Sequence, residues 1–268
     1  MIRIPNTPLD PTAASALAGF QADLDALPNY PDRVAAADKQ FQSRNRESNT
    51  TFRLVRRTLT AMCSGARRCM YCEDSLADEV EHVRPKHLYP EFTFVWENYV
   101  YACGPCNGGK RSKFEVFDAA GTRRNVTRRH GDPITPPVSG SPLLIDPRTE
   151  DPLEFLRLDL RGTFFFNPVD GLSPRDRERA LFTRAVLKLN DKSALVTARK
   201  GAYVSLLSDL HAYVAIRTKT PKSPKLRRTE SNIREFGQRT VWEEMKRQGG
   251  KIHELRVLFP AVPEAVNW

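Results

Sequence analysis

No stretch of the sequence is apolar over the length of a bilayer, and the opening MIRIPNTPLDP has none of the apolar core of a secretory leader. Internal repeats, heptad runs and long low-complexity tracts are absent too, which excludes solenoids and extended coiled coils. Cysteine is scarce, with five in 268 residues, and four of them fall in two Cys-x-x-Cys pairs, Cys69/Cys72 and Cys103/Cys106. That spacing suits a tetrahedral zinc site, because each turn offers two thiolates at the bite the metal accepts. A reducing, cytoplasmic setting is expected, where zinc thiolates persist and disulfides do not. Acidic residues are outnumbered, 32 against 42 Lys and Arg, giving a formal charge of +10 and a pI near 9.6. Such a balance favours a polyanionic partner, nucleic acid rather than membrane. The length suffices for a sizeable core in one domain or two.

What is present concentrates in residues 67–113, RRCMYCEDSLADEVEHVRPKHLYPEFTFVWENYVYACGPCNGGKRSK. The two pairs bracket Glu81-His82 and Asn98 and lead directly into Asn107. Hydrolysing a phosphodiester needs a base within reach of water and a hard cation to neutralise charge on the phosphoryl and leaving oxygens. Imidazole, carboxylate and amide supply those needs, and oxygen donors suit Mg2+ or Mn2+ where thiolates suit Zn2+. Neighbours in a strand point to opposite faces, so Glu81 and His82 can serve one phosphate only if the strand ends or bends there. Pro85 favours such an end.

The EHxxPK stretch at 81–86 and NYVYACxxCNxxK at 98–110 resemble the HNH endonucleases of the four-cysteine type. That resemblance covers roughly 45 residues and implies an α+β fold, a ββα-metal finger stapled by the four cysteines and set among helices. It implies His82 as general base and Glu81 and Asn107 as ligands of Mg2+ or Mn2+. Asn98 would hold the His82 loop, and Cys69, Cys72, Cys103 and Cys106 would hold structural zinc. The sequence departs from the familiar pattern with Glu at 81 and Asn at 107, and Asp78 or Glu79 are alternatives for the cation. The stretch IDPRTEDPLEFLRLDLRG, 145–162, resembles the segment after the zinc core in HNH subunits of Septu-type and retron-associated anti-phage systems. There the nuclease works on DNA with an ATPase partner.

Proline-rich stretches at 132–142 and 218–224 read as connectors, and the chain divides into a helical segment (1–66), the candidate core (67–130) and a mixed, mainly helical segment (131–268). Helices are expected over 10–27, 32–44 and from Asn49. A strand is expected at 78–82 and another at 99–101, with a helix opening at Asn107. The cations Lys110, Arg111, Lys113, Arg123, Arg124, Arg128 and Arg129 face only Glu115 and Asp118 in sequence and are candidate phosphate contacts. Arg56 and Arg57 read as solvated surface, Cys63 as a buried apolar residue, and Tyr89, Phe92, Phe94 and Trp96 as core. His130, His211 and His253 read as satisfied structural histidines. Strands flank a turn at Arg161-Gly162, and helices follow from Ser173, from Asp191 to Arg217, and over 230–247. The rival functions are a non-catalytic zinc module binding nucleic acid or protein, and an HNH enzyme acting on RNA or in restriction or mobile elements.

Overall fold

The computed structural model describes residues 1–268. Three helices lead: α1 (Pro11–Asp25), α2 (Tyr30–Arg44) and α3 (Thr50–Met62). Asp10 caps α1 through the Thr12 N–H at 2.9 Å ahead of Pro11, and Asn49 caps α3 through the Phe52 N–H at 3.1 Å. Each buries a stripe at helical spacing, Leu17 and Leu24 on α1, Val34, Ala37 and Phe41 on α2, Phe52, Val55 and Leu59 on α3. Phe41 and Phe52 meet edge to face at 5.5 Å.

Beneath them β1 (Glu79–His82) and β2 (Tyr99–Ala102) pair antiparallel, with Glu79 opposite Ala102 and His82 opposite Tyr99. Tyr89, Phe94 and Trp96, in the connection between them, are buried. The next helix, α4 (Gly104–Lys110), begins three residues before the expected Asn107. Pro105 is compatible with a first turn, so the second cysteine pair is itself the start of the helix. Arg111 ends it at φ 46°, which leaves Arg111 and Lys113 beyond the helix rather than in its first turns.

The 107–130 run then forms something its charge pattern hides. Strands β3 (Glu115–Phe117), β4 (Arg123–Asn125) and β5 (Ser141–Pro142) make a small antiparallel sheet in the order β4-β3-β5. A second pair, β6 (Leu156–Leu158) and β7 (Phe166–Pro168), closes around Asp159, whose carboxylate accepts from the Arg161 and Thr163 N–H groups. Ser173 caps α5 (Pro174–Val186), and α6 (Ser193–Lys219), α7 (Pro224–Arg234), α8 (Arg239–Gln248) and α9 (His253–Ala261) follow. The helix expected over 230–247 is two, because the chain turns at 235–238. There Gly237 passes so close to Gly65 that a Cβ on Gly65 would lie 2.6 Å from the Gly237 Cα.

The three segments share one core of 62 buried residues, from Met1 to Trp268. Arg148 of the IDPR stretch is buried, and its guanidinium donates to the carbonyls of Tyr99 (2.7 Å) and Trp96 (3.3 Å), tying the trailing segment to β2. Buried Glu244 and Gln248 of α8 bind both backbone groups of Leu158. The architecture is mixed α and β, and no helix is long and apolar enough to cross a membrane.

Candidate metal centre and adjoining cleft

The Sγ atoms of Cys69, Cys72, Cys103 and Cys106 all lie within 4.8 Å of one another, and all four residues are buried. None is in a disulfide. Tight turns build this cluster: Glu73 returns its N–H to the Cys69 carbonyl at φ 59°, and the Cys103 N–H donates to Cys69 Sγ at 3.3 Å. Mutual sulfur hydrogen bonds hold the Cys72 thiol below its ordinary range and raise Cys69 and Cys106, with burial adding to the rise. Four buried thiols at this separation cannot all ionise unaided, and a soft divalent cation would supply the missing charge. The donor set fits zinc. Cys63 lies outside the cluster, half-buried at the end of α3.

Beside the cluster a polar cleft of about 630 Å³ runs along β1, between α2 and α3 on one side and α4 on the other. The side chains of β1 divide by strand alternation. Glu79 and Glu81 turn toward α4, where Asn107 donates to Glu79 and Lys110 reaches Glu81 at 2.6 Å. Asn107 and Lys110, three apart, share one face of that helix.

His82 turns the other way, into the aromatic layer, with ring centroids 4.5 Å from Phe41 and 5.2 Å from Tyr99. Its Nε2 lies 2.9 Å from the Thr93 carbonyl oxygen, which can only accept, so Nε2 carries the proton and Nδ1 keeps the lone pair. Burial, then the nearby Lys86, lowers its pKa to about 3, which keeps the ring neutral. Asn98 is buried and brackets the following loop. Its Oδ1 accepts from the Arg84 N–H at 2.7 Å, and its Nδ2 donates to the Arg84 and Phe92 carbonyls.

Several sequence readings change here. Lys110 is no surface contact: it is fully buried, and Nζ also donates to the His82 carbonyl at 2.7 Å. Burial pushes the Glu81 carboxyl above its ordinary range, opposed by Lys110. Glu81 and Asn107, expected to share one cation, have separate partners, Lys110 and Glu79. Of the other expected phosphate contacts, Arg123 pairs with Glu115 and Arg124 with Asp118, while Arg128 donates to the carbonyls of His87 and Thr135 and to the Tyr30 hydroxyl. Lys113 donates to the Gly109 carbonyl. Arg111 and Arg129 are exposed with no ion pair, and of these Arg111 lines the cleft.

Arg56, read as solvated surface, is half-buried and also lines the cleft, as do Lys86 and His87. Lys86 stood in the EHxxPK stretch, a signal that could have placed it there; Arg56 carried none, since only the packing of α3 brings it in. His130, His211 and His253 are exposed rather than satisfied in the core.

With this geometry in place, the chain can be compared with known proteins. No protein-family model matches it. One stretch is similar to a Septu protein. Over 48 residues the chain is 42% identical to the Septu protein PtuB of Bacillus thuringiensis, a match covering 16% of this chain and 19% of PtuB.

Proposed function

We propose that the chain is an HNH-type endonuclease that hydrolyses DNA phosphodiesters and serves in anti-phage defence. The observation that carries this reading is His82, a buried neutral imidazole with Nε2–H fixed on a carbonyl, lining a polar cleft that also holds Glu79, Asn107, Lys86 and Arg111. Nδ1 takes a proton from water, the water oxygen forms a bond to phosphorus, and the P–O bond to the leaving sugar oxygen breaks; that oxygen takes a proton from a second water, and the imidazolium returns its own to the hydroxide left behind. Lys86 and Arg111 face the charge that builds on the phosphoryl oxygens. The Thr93 carbonyl holds the imidazole in one tautomer, and Asn98 fixes the loop behind it.

Glu79, Asn107 and Asp78 line the cleft with hard oxygen donors, which fit Mg2+ or Mn2+. Such a cation would supply charge neutralisation at the phosphate. Zinc on the four cysteines would be structural, since four thiolates leave no open position. The defence role rests on the Septu similarity, and an ATPase partner on the resemblance of the sequence to Septu-type subunits.

Plasmid cleavage with and without Mg2+ or Mn2+ tests the reading. His82→Gln, whose amide N–H can keep the bond to Thr93, is expected to abolish cutting while zinc content and fold persist. The Lys110–Glu81 pair favours a second reading, a zinc module that binds nucleic acid without cutting it, because it occupies a carboxylate expected to hold the cation. Binding without cleavage under every divalent ion would establish that alternative.

A further inference from the structure

We infer that the turn joining α6 to α7 is a second nucleic-acid surface, which grips the phosphate backbone of duplex DNA away from the cleft. Residues 217–228, RTKTPKSPKLRR, hold six cations and no carboxylate, against a formal charge of +10 for the whole chain. Arg217 pairs with Glu264. Lys219, Lys222, Lys225, Arg227 and Arg228 are exposed and make no ion pair. This contrasts with the 107–130 run, whose carboxylates neutralise two of its arginines and whose Lys110 is buried.

The turn is built, not frayed. The Thr220 N–H closes on the Ile216 carbonyl at 2.7 Å, Ser223 returns its N–H to Thr220, and the Ser223 hydroxyl caps α7 through the Leu226 N–H at 3.2 Å. Pro224 then opens an 11-residue helix whose N-terminal end adds positive potential amid the lysines. The hydroxyls of Thr218 and Thr220 are spent on the carbonyls of Val214 and Ile216, which leaves the exposed ammonium and guanidinium groups as sequence-independent phosphate donors. No aromatic side chain stands among the exposed residues of the turn, and the one large apolar side chain, Leu226, is buried, so the turn has no apolar anchor around which a protein interface would pack.

The surface is also distinct from the cleft. The amine of Lys192, just before α6, donates to the carbonyl of Pro105 in the second cysteine turn, so this end of α6 abuts the metal centre. The basic turn closes the other end of the 27-residue helix, about 40 Å along its axis.

This inference rests on the nucleic-acid reading above, and its test separates the two. Zinc-loaded protein carrying His82→Gln, in buffer without added divalent ions, is titrated with a 30-base-pair duplex over a range of salt. Adding Lys219→Gln, Lys222→Gln, Lys225→Gln and Arg227→Gln is expected to weaken binding about tenfold or more at low salt. It should also make the slope of log affinity against log salt shallower by about one for each phosphate no longer neutralised. The matching Lys→Arg triple variant should keep wild-type binding. These side chains are exposed, and circular dichroism with zinc content confirms folding. Unchanged affinity and slope in the Gln variant overturn the inference, as does unchanged DNA binding accompanied by loss of an acidic protein partner. Failure of the wild-type chain to cut DNA would sink the nuclease assignment and leave this result standing.

Discussion

His82 resists protonation until about pH 3, whereas an unfolded chain takes up that proton near pH 6.5. Stability from this group is therefore complete above about pH 6.5 and falls as pH drops toward 3, because the unfolded state then binds a proton the native state does not. Urea midpoints from pH 7 to 4 should decline, and His82→Gln should flatten that decline. If His82 is the general base proposed above, the acid limb of kcat/KM should lie well below pH 6, and a limb centred near 6.5 would assign the base elsewhere. Lys110 offers a second test at this scale. Lys110→Met strands the buried Glu81 carboxyl and the His82 carbonyl, and should cost about 3–5 kcal/mol. Adding Glu81→Met should recover part of that loss, measured as the coupling in a double-mutant cycle of urea unfolding.

At the scale of elements, the metal cluster and α4 are one unit. Cys103 precedes the helix, Cys106 lies in its first turn, and Asn107 and Lys110 follow on it. Structural zinc contributes on the order of 10–16 kcal/mol in small fingers, as much as a whole domain's stability. Cys106→Ser should thus lose zinc, shown by metal analysis, and lose α4 protection in hydrogen exchange. The paired cysteines made the cluster legible in sequence, though not where α4 begins, and Asn49 and Ser173 marked the starts of α3 and α5, because those signals are local. The sheet β4-β3-β5 was not legible: strands of two or three residues exist only through pairing partners up to 26 positions away. Lys110 misled for the same reason, since its carboxylate partner lies 29 residues earlier. A basic residue beside Gly-Gly gives no local sign of burial.

For the whole molecule, the trailing segment is bound into the core. Arg148→Met would remove the donors to Tyr99 and Trp96 and should cost about 2–3 kcal/mol, seen as a lower urea midpoint and faster proteolysis beyond residue 143. An unchanged urea midpoint in Arg148→Met would contradict that role. The shared helix α4 has one more effect, on when the molecule becomes competent. If zinc capture builds α4, as the loss of exchange protection in Cys106→Ser would show, a newly made chain would gain the proposed activity only after it takes up metal. Zinc supply would then act as a maturation checkpoint: protein made without zinc should acquire DNA cleavage on remetallation, with no new synthesis.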